Sequence, residues 1–185
     1  MGVKGYFIQY KFILPEHTKH SSYTYQKLFR AIYGYTQAVF KSNGKTYQYH
    51  REGVLSKFPF IRAGKSCVII PPDAFQELTE FFKTGKNPTH KWQTKGDWKA
   101  VYYLNEKDVS EKEAVSALES LLDRTKVLAG NNPSQIESAL GGSGNQEVKT
   151  VAVETARKLA GNVWFKELYP KSERLKSFYA AAKNT

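Results

Sequence analysis

The sequence predicts an α+β fold, a ferredoxin-like variant in which a mainly antiparallel sheet carries helices on one face, followed by a C-terminal helical extension. Three observations predict it. Residues 5–14 alternate strictly in polarity, Asn43-Gly44 separates two further alternating runs, and amphipathic stretches of helical spacing fall between the strand-like segments. With 41% apolar residues over 185 positions, the chain can bury a core of its own.

From Gly5 to Leu14, Tyr6, Ile8, Tyr10, Phe12 and Leu14 fall on one side and Phe7, Gln9, Lys11 and Ile13 on the other, as in a strand with one buried face. Ser21 or Ser22 can then cap a helix over 23–33, with Leu28, Phe29 and Ile32 as its apolar stripe and Gly34 as its stop. Asn43-Gly44 suits a two-residue type I′ turn, since both residues tolerate positive φ. That turn pairs Phe40 with Tyr47 and Ala38 with Tyr49. It places both tyrosines on an apolar face and Gln37, Val39, Lys41, Thr46, Gln48 and His50 on a polar one that matches Gln9 and Lys11.

Ser66 to Ile70 reads as a buried strand stopped by Pro71-Pro72. Asp73 can cap a helix with Phe75, Leu78, Phe81 and Phe82 inward and Gly85 after it. A second hairpin is expected around Lys95-Gly96 within residues 90–104, and Ser110-Glu111-Lys112-Glu113 is a capping box opening the next helix. Residues 130–145 are rich in Gly, Asn and Ser, as linkers are. The expected organisation is therefore a basic α+β domain over 1–128, a linker over 129–146 and a basic helical tail over 147–185. The tail reads as helix up to Pro170 and again around Leu175, Phe178 and Tyr179.

Charge supplies the first functional clue. The formal net charge is +11, and residues 1–104 contain 16 basic and 6 acidic groups against 4 and 8 in 105–147 and 8 and 3 in 148–185. Of the 26 aromatic residues, 21 also lie in the first 104. A basic, aromatic-rich segment points to a polyanion, and nucleic acid is the expected partner. The contacts expected from the first domain are Lys11, Lys41, Lys45, His50 and Arg51, then Arg62 and Lys65 before a strand. Lys91, Trp92, Lys95, Trp98 and Lys99 crowd the second hairpin, where a tryptophan beside lysines is the best candidate to stack on a base. Lys171, Arg174 and Lys176 in the tail add phosphate contacts or dock a partner protein.

Several classes drop out. One cysteine, Cys67, supports neither an intrachain disulfide nor a cysteine-rich zinc site. No apolar run approaches the roughly 18 residues of a membrane span, and the N-terminus lacks the pattern of a signal peptide. The chain is accordingly expected in a reducing, cytoplasmic setting, with no membrane partner. Gly64-Lys65-Ser66 ends like a phosphate-binding loop, but Pro59 stands where that loop needs its first glycine, and a strand follows where a helix is required. No cofactor is expected.

His17 and His20 lie three apart in Glu16-His-Thr-Lys-His20 without an H-E-x-x-H pattern or a third ligand, so no metal site is expected. Beside Lys19 they could act as general base and acid in metal-independent cleavage of RNA through its own 2′-hydroxyl. Their place between the first strand and first helix resembles the layout of CRISPR RNA-processing endonucleases, a family whose glycine-rich C-terminal loop has no match here. That resemblance implies an endoribonuclease as the alternative to a non-enzymatic binding protein. A third reading is a structural or assembly protein whose basic surface meets an acidic partner.

Overall fold

A computed structural model describes residues 2–19, 23–88, 96–130, 132–142 and 144–185. The class is α+β, as expected. The chain forms two compact units: a helical unit of Met1–Ile8, Lys57–Asp73 and Leu104–Thr185, and a hairpin unit of Gln9–Ser56 and Ala74–Tyr103. This division differs from the expected split at a linker.

Four strands, β1 (Gly2–Ile13), β4 (Ile61–Gly64), β5 (Cys67–Ile70) and β6 (Lys99–Ser110), form one sheet in the order β4-β5-β1-β6. Helix α1 (Tyr23–Tyr33) follows β1, and α2 (Phe75–Thr84) stands between β5 and β6. Two more strands, β2 (Tyr35–Phe40) and β3 (Thr46–Arg51), make a separate two-stranded sheet instead of joining the main one. With that pair set aside, the elements run β-α-β-β-α-β.

Strand β1 begins earlier than its alternation suggested. Val3 and Gly5 are buried, then Ile8, Tyr10 and Phe12, so the burial phase changes across the half-buried Tyr6 and Phe7. In the hairpin unit, the even-numbered residues face aromatic side chains. Phe12 meets Phe29 of α1 edge-on (ring centroids 5.7 Å apart) and lies 6.2 Å from Phe82 of α2, and Tyr10 donates or accepts a 2.9 Å hydrogen bond with Tyr33. In the helical unit Gly5 has no room for a side chain: a Cβ would stand 2.9 Å from Val109 and 3.0 Å from the ring of Trp164. Trp164 is fully buried and donates its indole N–H to the Lys4 carbonyl at 2.7 Å, which satisfies the one polar group that burial would otherwise strand.

The predicted capping box is present. Ser110 Oγ accepts from Glu113 N–H (3.3 Å), Glu113 Oε2 accepts from Ser110 N–H (3.4 Å) and Oγ (2.6 Å), and helix α3 (Glu111–Arg124) runs from there. These bonds hold the Glu113 carboxyl below its usual range. The segment expected as a linker instead carries structure: strand β7 (Lys126–Ala129) pairs antiparallel with β8 (Asn132–Gln135), and α4 (Ile136–Leu140) buries Ile136, Ala139 and Leu140. Gly130, Gly142 and Gly144 take positive φ between these short elements and Asn145 caps the next helix, a composition that linkers share. The expected long tail helix is two helices, α5 (Gln146–Ala160) and α6 (Val163–Leu168), separated at Gly161-Asn162, where Asn162 Oδ1 caps α6 by accepting from Phe165 N–H at 3.2 Å. Helix α7 (Glu173–Lys183) closes the chain, with Leu175 and Phe178 in the same core as Leu118, Leu121 and Ala152.

Asp73 does not cap α2. It lies in a 3₁₀ turn over Pro72–Ala74, and the N-cap position of α2 is Ala74, without a side-chain bond. The Asp73 carboxylate instead accepts from Asn162 Nδ2 at 2.9 Å, and burial pushes its carboxyl above the usual range. Gly85 ends α2 as expected, in the left-handed region at φ 72°.

Candidate nucleic-acid interface

The β2–β3 ribbon turns differently from the type I′ expectation, and its faces change as a result. Val39 lies opposite Tyr47, Gln37 opposite Tyr49 and Tyr35 opposite Arg51. Lys41 N–H donates to the Lys45 carbonyl and Gly44 N–H to the Lys41 carbonyl, each at 3.0 Å. The loop is therefore the three residues Ser42-Asn43-Gly44, closed by Gly44 at φ 77°, and no non-glycine residue among those described has positive φ. A type I turn followed by a left-handed glycine needs one left-handed residue, whereas type I′ needs two, and Asn43 avoids that cost. The extra loop residue shifts the register by one. A one-residue shift exchanges the faces of one strand relative to the other.

Tyr35, Gln37, Val39, Tyr47, Tyr49 and Arg51 consequently share a face, with Lys41 and Lys45 continuing it towards the tip. The tyrosines expected in the core are on this surface: every residue of β3 is exposed, and Tyr47 and Tyr49 show 37% and 36% of their area. Cations stand over the rings. Lys41 Nζ is 4.7 Å from the Tyr47 ring centre and 5.9 Å from that of Tyr49, the Arg51 guanidinium is 5.9 Å from Tyr49, and Arg30 of α1 is 4.7 Å from Tyr35. These distances are within the range of cation–π attraction, which orients the side chains while leaving both partners near water. Asn43 Nδ2 donates to Tyr47 Oη at 3.0 Å and its Oδ1 accepts from Lys45 N–H at 3.0 Å, tying the turn to the ring beside it. His50 lies on the opposite face with Ala38, Phe40 and Gln48, its Nδ1 3.4 Å from Thr36 Oγ1.

The ribbon leaves the body of its unit at a close backbone crossing. A Cβ on Gly53 would collide with the Gly34 nitrogen and stand 2.6 Å from the Ile32 carbonyl oxygen. Gly34 itself has φ 73° and ends α1 by donating to the Arg30 carbonyl at 2.7 Å.

A second surface in the same unit adjoins β1 and β6. Phe82 of α2 touches Tyr10, Phe12 and Tyr102, with ring centres 5.7, 6.2 and 5.5 Å away, so those three face the helix. Strand alternation turns Gln9, Lys11 and Ile13, with Lys99, Val101 and Tyr103, to the opposite side. Tyr103 is 63% exposed there. This face carries Lys11, Lys99 and Tyr103; the 37–50 hairpin expected to extend its Gln9 and Lys11 side forms a separate sheet instead.

The other expected contacts are placed variously. Arg62 is exposed on β4 and Lys65 in the turn before β5, both in the helical unit. Trp98 is no exposed platform: it is 8% exposed, edge-on to Phe12 at 5.6 Å and tilted against Phe81 at 5.6 Å. Lys91, Trp92 and Lys95, with the hairpin expected around them, lie outside the described residues, as does His20. His17 and Lys19 are exposed in the loop after β1. In the tail, Lys171 pairs with Glu111 (3.5 Å) and Lys176 with Glu173 (2.6 Å). Arg174 is held by Glu137 (2.8 and 3.0 Å) and Asp123 (2.8 Å), which raise its pKa further. Of the three, only Arg174 is substantially covered, its charge bridging α7, α4 and α3 within the helical unit.

Arg30, Tyr35, Tyr47, Tyr49 and Tyr103 went unnamed as contacts. A sequence signal for most of them exists: between Glu16 and Glu52 there is no Asp or Glu, while six Lys or Arg fall in that interval. Among the described residues no cluster of His, Cys, Asp or Glu is arranged to hold a metal ion, and no helix is long and apolar enough to cross a membrane. Compared with protein-family models, with curated proteins and with solved structures, the chain shows no match.

Proposed function

We propose that the protein binds nucleic acid through the tyrosine- and cation-bearing face of the β2–β3 ribbon, aided by the open β1–β6 face of the same unit. The observation that carries this reading is the exposed pair Tyr47 and Tyr49, with the half-buried Tyr35 on the same face, beside Arg30, Lys41 and Arg51. Lysine and arginine neutralise phosphates and release counterions, and exposed rings supply stacking surfaces for unpaired bases. The ribbon is exposed on both faces, and the sequence interval that forms it contains no carboxylate to repel a polyanion. By analogy of fold, the β-α-β-β-α-β order supports the ferredoxin-like reading, in which small domains expose one sheet face.

Fluorescence anisotropy with labelled single- and double-stranded RNA and DNA at two salt concentrations tests the proposal. Binding that weakens steeply with salt and is lost in a Tyr47→Ala/Tyr49→Ala variant is the expected result; affinity no better than millimolar at low salt removes it. Incubation with RNA in EDTA, with His17→Ala as control, tests the endoribonuclease alternative, which the exposed His17 and Lys19 keep in view.

A further inference from the structure

The β2–β3 ribbon has a second face, turned away from its tyrosines. It is formed by Thr36, Ala38, Phe40, Thr46, Gln48 and His50, every one of them exposed. At 72% exposure, Phe40 is the most exposed large apolar side chain among the described residues. Among those residues no ring or cation stands against it, whereas Tyr35, Tyr47 and Tyr49 each carry a cation. Phe40 pairs with Thr46 at the last position before the loop. It therefore shares the tip with Lys41 and Lys45 while facing away from the tyrosines. The outer side of the tip is open, since a Cβ on Gly44 would have nothing within 4 Å.

An exposed phenylalanine beside two lysines, in an interval without Asp or Glu, fits a ligand that is both anionic and aromatic. Its place on the reverse face decides the strand state of that ligand. In a duplex every base is paired and stacked on its neighbours, and a groove receives a β-ribbon by one face. Either the tyrosines or Phe40 would then be left in water. A single strand has unpaired bases and a flexible backbone. It can pass over the tip of a two-stranded ribbon and lay bases against rings on both sides.

We propose that the ligand is single-stranded nucleic acid crossing the ribbon tip, with bases stacked on Tyr47 and Tyr49 on one face and on Phe40 on the other, and phosphates at Lys41 and Lys45. This occupancy rests on the nucleic-acid reading of the ribbon and adds to it the strand state and a second face. Phe40 is a binding residue by its ring, so an aromatic replacement keeps the contact and an aliphatic one does not.

Anisotropy titrations of the full chain with labelled single-stranded RNA and DNA, and with the matching duplexes, test it in the parent and in Phe40→Ala, Phe40→Leu and Phe40→Tyr. The parent should bind single strands more tightly than duplexes. Phe40→Ala and Phe40→Leu should each weaken single-strand binding about fivefold or more, Phe40→Tyr should retain it, and duplex affinity should be the same in all four. Because the side chain is exposed, urea midpoints should not move. Duplex binding as tight as single-strand binding, unchanged single-strand affinity in Phe40→Ala, or full affinity in Phe40→Leu would each overturn the proposal. So would a dimer of the parent that Phe40→Ala dissociates with oligonucleotide affinity intact, which would give this face to a second copy of the chain. In all of these outcomes the parent still binds nucleic acid, and only the strand state and the second face fall. A parent that binds no oligonucleotide removes the nucleic-acid reading of the ribbon and this proposal with it.

Discussion

The Lys41 ammonium lies 4.7 Å from the centre of the Tyr47 ring, on the same face of the ribbon, because Val39 and not Phe40 stands opposite Tyr47. A single extra loop residue thereby decides whether the tyrosines are grouped with Ala38 and Phe40 or with Gln37, Val39 and Lys41. Phe40, left on the other face, is 72% exposed. A two-stranded ribbon with both faces in water gains little stability from itself. Under the proposed function, its exposed apolar and cationic groups are the ones that bound nucleic acid would cover.

If bases stack on these rings, truncation and conservative replacement should separate. Tyr47→Ala or Tyr49→Ala should each cost about 1–3 kcal/mol of binding per stacked base, roughly 5- to 150-fold, while Tyr→Phe should retain most of the affinity because the π-face survives. Lys41→Ala should instead reduce the slope of log K against log salt by about one, the signature of one lost phosphate contact. Anisotropy titrations at three salt concentrations read both effects. Equal loss for Tyr→Phe and Tyr→Ala would point to the hydroxyls and remove the stacking account.

The crossing at Gly34 and Gly53 predicts that the ribbon can be detached without unfolding the rest. In Gly53→Ala the new methyl group meets the Gly34 nitrogen and stands 2.6 Å from the Ile32 carbonyl oxygen, both backbone, so the chain itself has to move. A cost of about 2 kcal/mol or more is expected locally. Hydrogen exchange should show lost protection in Tyr35–Phe40 and Thr46–Arg51 while the helical unit keeps its own, and oligonucleotide affinity should fall with it. Unchanged exchange in those strands would contradict the geometry.

The legibility of this chain in its sequence varies with how local the deciding interaction is. The Ser110 capping box, the Gly85 stop of α2 and the Tyr10–Phe12 alternation depend on neighbours a few residues away, and each was visible. The hairpin was located correctly from Asn43-Gly44, yet its register depended on Asn43 staying out of the left-handed region, which residue type alone does not determine. Asp73 looked like a helix cap because its true partner, Asn162, is 89 positions away. Trp98 looked like a stacking group because lysines surround it in sequence, while its actual neighbours Phe12 and Phe81 come from distant elements. The acid-free interval from Glu16 to Glu52, hidden when charge is summed over residues 1–104, is a local signal that marks the ribbon.

Arg174 separates structural from binding charge. Its guanidinium bridges Glu137 and Asp123 between α7, α4 and α3, with side chains of Arg174 and Glu137 each under a third exposed. Arg174→Met should cost about 1–3 kcal/mol, since it strands a partly buried carboxylate along with losing charge-assisted bonds. The same variant should leave oligonucleotide affinity within about twofold of the parent, a change of under roughly 0.5 kcal/mol. Urea denaturation and anisotropy on one preparation check both halves; a large loss of affinity at unchanged stability would return Arg174 to the binding surface.

Asp73 predicts a pH dependence of opposite sign to that of an ordinary salt-bridged carboxylate. Burial raises its pKa in the folded state above the unfolded value of 3.8, even though Asn162 and the Val163 N–H, which bond the charged form, and Lys166 all act to lower it. The folded state therefore binds the proton more tightly than the unfolded one. Its contribution to stability is fully present below 3.8 and is lost as pH rises through the higher folded pKa. Asp73→Asn keeps an acceptor for Asn162 Nδ2 and removes the charge, so the variant should gain on the parent as pH rises from about 4 to 7. With the carboxylate half-exposed, solvent screening holds that difference below about 1 kcal/mol. Urea midpoints of the two proteins at pH 4 and pH 7 measure it: the gap should move in favour of the asparagine variant at pH 7, and a shift towards the parent would mean that hydrogen bonding to the charged form outweighs burial.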